Sequence, residues 1–411
     1  MKKEKNMRKM RHVLFSGLTG IFTVLLWVIT PAAMQAQQTV TLDEAIAMAI
    51  ANSPRLKAAT AAINRSQAAK SESWDLGATS FDYSWGQING ISRNDRMLNV
   101  TQSLGSVITP FYKNTLVKQQ ITTGEYYRDM VKKEIIAETK RAYAYYQYTR
   151  HKNRMLGEHN HFAELLFRTG ELRFQQGEIN LLEKNMTSTQ AASMKNKVFQ
   201  AEEEFRIAVA RFQWVCFSEV EPVPSSETTP ERFEVNMNEN RLSSAHLSYF
   251  NSRVSESEAM MRVEQSRFFP DFSIGYMYQN ILPDKGLNAF MVGMSVPLVF
   301  HGQKSRVKQA RFNTEMMRYE ADDNTRILNN KVAELKAELR KQDESIRFFE
   351  SSALPEADAM IRAAELQMKH SENSISEFIQ SMNSALEIKQ AYIEMIYQYN
   401  VAALEYELYN E

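Results

Sequence analysis

A single cysteine among 411 residues rules out an intrachain disulfide. That residue, Cys216, follows the apolar run Phe212-Gln213-Trp214-Val215 and has the setting of a packed, inert thiol. It lies far from the N-terminus, so it cannot carry an N-terminal lipid. The seven histidines show no zinc spacing. His159 and His161 stand two apart in a helical segment, where side chains diverge. No phosphate loop, nucleophile elbow or paired-carboxylate constellation is present. No catalytic, cofactor-binding or metal-ligating residue is therefore assigned, and the chain does not read as an enzyme. The 22 methionines suit soft cations. Yet Met260-Met261 and Met316-Met317 fall in helical segments, where packing is their ordinary use. Excess charge is missing too. Lys and Arg together number 49, as do Asp and Glu, and six of the bases and one acid lie in the first 36 residues. The remainder is left at about −5, with no attraction for nucleic acid.

Proline and glycine are scarce, at 10 and 14 residues. After Pro110 the chain runs to Gln176 without another proline, roughly 66 residues or about 100 Å of helix at 1.5 Å per residue. What is present begins with a leader. Lys2, Lys3, Lys5, Arg8, Lys9 and Arg11 precede an apolar stretch from Val13 to Ile29, and small residues lead to a cut after Ala36. Residues 1–36 are expected to be a signal peptide rather than a membrane anchor.

The rest says the same thing twice, about 190 residues apart. Phe81, Tyr83 and Trp85 alternate with polar residues, as do Phe272, Ile274, Tyr276 and Tyr278 in the second copy. Leu98 and Val100 are echoed by Phe290 and Val292, with Met294 and Val296 following. Each copy reads as helix, two strands, very long helix, turn and return helix. The boundaries are 37–215 for the first repeat, with strands at about 79–88 and 96–105, and 242–411 for the second, with strands at about 271–280 and 288–298. A linker, 216–241, joins them. A half-buried soluble sheet would alternate in the same way. What favours a lipid-facing surface is that nothing is available to cover these large aromatic faces, while the opposite faces are small and polar. Strands of about nine to eleven residues also match a tilted membrane crossing. Four strands cannot close a barrel, and an open edge in lipid leaves backbone groups unsatisfied, so several chains must share one.

Thr41 and Glu44 form a capping box for a first helix that is expected to run to about Ser73. Leu328, Val332, Leu335, Leu339 and Ile346 follow heptad spacing, with Gln342 at the skipped position. So do Ala385, Ile388, Tyr392, Met395, Tyr399, Ala402 and Tyr406. Pro355 should kink or interrupt the second long helix. Both long helices end in a turn, Gly177-Glu178-Ile179-Asn180 and Asn373-Ser374-Ile375-Ser376. Gly177 and Asn373 accept a left-handed backbone, and Asn180 and Ser376 stand where an N-cap belongs. Ile179 and Ile375 either staple the turns or dock a partner.

These residues resemble the TolC-like outer-membrane efflux channels over nearly all of the chain after residue 36. The likeness rests on Thr41-Leu42-Asp43-Glu44-Ala45, on Gly177-x-Ile179-Asn180, and on Val292-Gly293-Met294-Ser295-Val296-Pro297-Leu298 leading through Gly302 to Gln309-Ala310. The closing Tyr392, Tyr399-Asn400, Ala402 and Leu404-Glu405 complete it. The resemblance implies a mainly α protein with a small β part. Three copies would form a homotrimer with a twelve-stranded β-barrel in outer-membrane lipid, above a periplasmic α-helical tunnel. It implies a periplasmic adaptor and an inner-membrane pump of the resistance–nodulation–division type as partners, with the Gly177 and Asn373 turns meeting the adaptor. Glu183, Glu372 and Glu377 are candidates for rings of charge at the tunnel mouth, where Ile379 and Met382 replace the acidic residues common in drug-type members. The expected cargo is heavy-metal cations. Drugs, bile salts or other amphiphiles are the alternative, and a soluble periplasmic scaffold or adaptor is the reading from another class.

Overall fold

A computed structural model describes residues 38–410 apart from 75, 89–92, 224–229, 238–243, 282–283, 297–299 and 371–373. The expected leader, Glu372 and Asn373 lie outside the described residues. The first half contains β1 (Gln38–Val40), α1 (Leu42–Asn52), α2 (Pro54–Ala68), β2 (Thr79–Gly86), β3 (Asp95–Ser106), α3 (Thr109–Gln175) and α4 (Leu181–Cys216). After β4 (Val220–Pro222) come α5 (Ser244–Ser266), β5 (Asp271–Ile281), β6 (Asp284–Ser295), α6 (His301–Phe348), α7 (Leu354–His370) and α8 (Ile375–Tyr409).

The capping box is present: Glu44 N donates to Thr41 Oγ1 and Thr41 N to Glu44 Oε2. The single helix expected from Thr41 to about Ser73 is not. Pro54 lacks an N–H and its ring collides with the carbonyl one turn back, so α1 stops at Asn52. The chain restarts with Ser53 as cap, its Oγ accepting from Leu56 N at 3.4 Å. A 3₁₀ turn at Ser71–Trp74 then leads to the sheet.

The helix α3 is continuous for 67 residues, about 100 Å at 1.5 Å per residue, with Pro110 in its first turn, where a missing N–H costs nothing. Its counterpart is broken. A π turn at Phe349–Ala353 separates α6 from α7, immediately before Pro355. The widened turn absorbs the bond that Pro355 cannot donate and the space its ring requires.

The helices α2, α4, α5 and α8 all pack along α3, while α6 packs along α5 and α8, so elements from either side of β4 interlock. The heptad positions Val332, Leu335, Leu339 and Ile346 are buried against α8 residues that include Tyr392, Tyr399, Ala402 and Tyr406, and Leu328 is buried as well. Gln342 is buried among them and donates to Glu338 and Gln398. Cys216 is fully buried, and burial pushes its thiol up to about 11, which suits an unreactive packed group. Asn400 ties the linker down: its side chain accepts from Phe233 N at 2.9 Å and donates to Glu231 O at 2.7 Å.

Among the described residues two sheets form. β1 pairs with β4 in parallel, and β2, β3, β5 and β6 form an antiparallel sheet in that order. No helix among the described residues is long and apolar enough to cross a membrane.

Candidate functional site

The four-stranded sheet is built so that the alternating residues of all four strands fall into shared rows. Phe81 pairs with Val100, Val100 with Tyr276, and Tyr276 with Phe290. The next row joins Tyr83, Leu98 and Tyr278, and the row on the other side joins Ile274 to Val292. Phe272 and Met294 continue the same face, and Trp85 extends it at one end. The face is uncovered: Phe290 is 86% and Phe81 71% exposed. Val296, just beyond β6, is exposed as well.

The opposite face carries Asp82, Asn99, Thr101, Ser273 and Ser295 together with Gly275 and Gly293. A Cβ at Gly293 would lie 2.5 Å from Ser273 Oγ, so a larger residue there would have to turn the serine hydroxyl aside. Leu104, aligned by period with Leu98 and Val100, is instead displaced at a register shift between Ser103 and Gly105. An extra residue of this kind bends the strand. No periodicity argument could place it.

The helical ends form a second candidate site. Gly177 has φ +76°, with open space around its Cβ position, so its role is conformational. Asn180 caps α4 reciprocally: Glu183 N donates to Asn180 Oδ1 at 2.9 Å and Asn180 N to Glu183 Oε2 at 3.0 Å. Glu183 is thus engaged in the cap, and Glu178 is paired with Arg173 at 3.0 Å. In the second turn the cap is Ser374, whose Oγ accepts from Ser376 N at 3.2 Å, and not Ser376 as its position implied. An extended backbone at Ser374 starts the helix two residues earlier than a cap at Ser376 would. Ser376 and Glu377 are exposed in the first turn of α8.

Ile179 and Ile375 meet in one apolar cluster. Ile375 is buried with Leu166, Ala364, Phe378 and Met382, and Ile179 and Ile379 pack against it. The ends of the two hairpins therefore share one apolar contact, with Ile375 buried in it and Ile179 half-buried at its edge. The reciprocal pair Gln190–Asn383, at 2.8 and 3.4 Å, joins α4 to α8 just beyond. Sequence reasoning missed Phe378, Leu166 and this amide pair. The spacing of Ile375, Phe378 and Met382 marks one helical face, but their partners are some 200 residues away (Leu166 is 209 before Ile375).

No protein-family model matches the chain, and no curated protein matches it. Solved structures do. The crystal structure of the Campylobacter jejuni CmeC outer membrane channel aligns with a TM-score of 0.76 at 12% identity, over 89% of this chain and 84% of that one. CusC, described by its transmembrane channel formation, aligns at 0.73 and 14% identity over 93% and 96%. The fold is that of the TolC-like outer-membrane channels. The outer membrane protein VceC of Vibrio cholerae aligns equally, at 0.73 and 14% identity over 90% and 96% of the two chains. At such identities the likeness lies in the path of the backbone. Within the channel fold, the aromatic face belongs to the strand region and the Gly177 turn to the far end of the helical body.

Proposed function

We propose that this chain is the outer-membrane exit duct of a tripartite export system in a Gram-negative cell. The carrying observation is the apolar face of a four-stranded sheet whose two edges, β2 and β6, have no partner strand among the described residues. Lipid tolerates neither an open edge nor a soluble covering layer, so the sheet must close with other copies. Three copies of four strands give a twelve-stranded barrel in which β6 of one copy pairs with β2 of the next. Repeats 37–215 and 242–411, joined by 216–241, then place the helical body in the periplasm. Phe81, Tyr83, Trp85, Phe290 and Val292 face lipid. The surfaces around Gly177, Glu178, Asn180, Ser374 and Ser376 meet a periplasmic adaptor. A resistance–nodulation–division pump supplies the energy, and the duct performs no chemistry.

Heavy-metal cations are the proposed cargo, favoured at the mouth by threefold rings of Glu377 and Glu372. Amphiphile export is the second reading. It is supported by the engagement of Glu183 in a helix cap and by the apolar Ile379 and Met382 near the tip.

Deletion of the gene followed by growth across copper, silver, zinc, cobalt and cadmium, and across bile salts and dyes, separates these cargoes. Metal sensitivity alone supports the first, and amphiphile sensitivity alone replaces it with the second. Carbonate washing of membranes tests the duct itself: release of the wild-type chain by carbonate would make it a scaffold. Tyr276→Asp puts a charge on the outer face and is expected to abolish barrel assembly, at about 2–4 kcal/mol or less per charge depending on depth.

A further inference from the structure

The helical body holds a cavity of about 390 Å³ that duct function does not require. It lies between α3, α7 and α8, with Pro230 of the linker in its wall. Its volume falls in the lower part of the about 300–1,000 Å³ spanned by small-ligand pockets.

The wall divides by chemistry. Met155, Leu354, Tyr392 and Ile393 supply apolar surface. Arg154, Lys389, His151 and His159 bring nitrogen donors, against two carboxylates, Glu158 and Asp358. Both carboxylates are engaged within the wall: Arg154 Nε donates to Glu158 at 3.2 Å and Lys389 Nζ to Asp358 at 2.8 Å. An ammonium has three donors, so Lys389 retains capacity for a second acceptor.

Both histidines are buried. Burial holds the His151 imidazole below its ordinary range, with Arg150 and Arg154 acting in the same direction. It brings His159 down to about 4, with Lys389 adding to the effect and Glu158 opposing it. Neutral imidazoles each offer one N–H. The charged pairs cancel, so the lining presents surplus donors without a surplus of negative charge. Each carboxylate in the wall is already paired with one of the wall's own cations.

The backbone beside the cavity is irregular. The π turn at Phe349–Ala353 directly precedes the lining residue Leu354. The Tyr392 hydroxyl donates to Glu350 within that turn at 3.1 Å, which fixes the ring as part of the cavity wall. Such turns recur at functional sites because they widen a helix locally.

We propose that this cavity binds a small organic anion with an apolar body, an aromatic or short-chain carboxylate or sulfonate. Its head group meets Lys389 and the two imidazoles, and its body lies against Met155, Leu354 and Ile393. The site belongs to the helical body and not to the sheet, so its occupancy is independent of whether the chain spans a membrane.

The test uses the full-length chain in lipid nanodiscs, titrated calorimetrically with 2-naphthalenesulfonate against empty nanodiscs. The neutral 2-naphthalenesulfonamide and the cationic 2-naphthylmethylammonium serve as matched probes. Saturable binding of one anion per chain is expected, with the neutral probe about tenfold weaker and the cation weaker still. Lys389→Gln should weaken the anion about fivefold or more while leaving the neutral probe nearly unchanged, and Lys389→Arg should restore most of the loss. Leu354→Trp should fill the cavity and remove binding of both. If that variant fails to fold, the Gln and Arg pair at Lys389 decides. Binding of the cation as tight as the anion, unchanged anion affinity in Lys389→Gln, or no saturable binding overturns the proposal.

Discussion

The two long helices do the same job in different ways. α3 runs unbroken for 67 residues, while its counterpart is assembled from the 48 residues of α6 and the 17 of α7 around a π turn. The turns beneath them differ similarly. The first combines a left-handed Gly177 with a reciprocal Asn180–Glu183 cap, and the second, among the described residues, has one side-chain cap bond at Ser374. In the first copy the sequence specifies each local feature redundantly. In the second, tertiary packing compensates for a proline and a weaker cap. A duplicated plan therefore tolerates local divergence wherever neighbouring helices can hold the shape.

That contrast breaks most sharply with proline. Leu156 is buried in the middle of α3, where no π turn is available. Leu156→Pro removes a helical bond, at about 3 kcal/mol or more, and buried leucine packing, at about 2–5 kcal/mol. Loss of folded protein is the expected outcome, read by circular dichroism. Pro355→Ala, by comparison, should change stability by less than about 1 kcal/mol, because the widened turn is already accommodated. Equal tolerance of both would remove the distinction between the helices.

A second effect follows from His159, buried between α3 and α8 and held to about 4. Above about pH 6.5 the imidazole is neutral in folded and unfolded chains alike, and stability is full. As pH falls from about 6.5 to 4 the unfolded chain gains a proton that the folded chain refuses, so stability drops, by roughly 2–3 kcal/mol at 1.36 kcal/mol per unit. Denaturant titrations at pH 7.5 and 4.5 should show this loss, and His159→Gln should reduce it. An unchanged acid dependence in the variant would assign the effect elsewhere.

The turns sharpen the comparison on a finer scale. Gly177→Val should cost about 1–2 kcal/mol from backbone strain alone, since nothing surrounds the new side chain. It should also impair adaptor coupling while leaving the oligomer intact, which crosslinking and gel filtration would report. The smallest expected effects are at the caps. Asn180→Ala should cost about 1 kcal/mol and Ser374→Ala less, both measured as shifts in melting temperature. A larger loss at Ser374 would reverse the ranking of the two turns.

Much of this was legible in one dimension because it depends on neighbours in the chain. Period-two alternation around Phe81 and Tyr276 placed the strands, heptads from Leu328 placed the α6 seam, and Thr41 with Glu44 placed a cap. Where the reading ran past the structure, the competing factor was local and specific. Pro54 broke the first helix, and Ser374 took the cap assigned to Ser376.

The sequence by itself determined the lengths of the elements, the apolar face of each strand and the left-handed turn at Gly177, because rotamer, hydrogen-bond and φ preferences act within a few residues. Only the tertiary structure decided that Ile179 and Ile375 share one cluster, that β3 lies beside β5, and that His151, His159 and Lys389 line one cavity. Those contacts join residues far apart in the chain, and their free energy exists only once the long helices have packed.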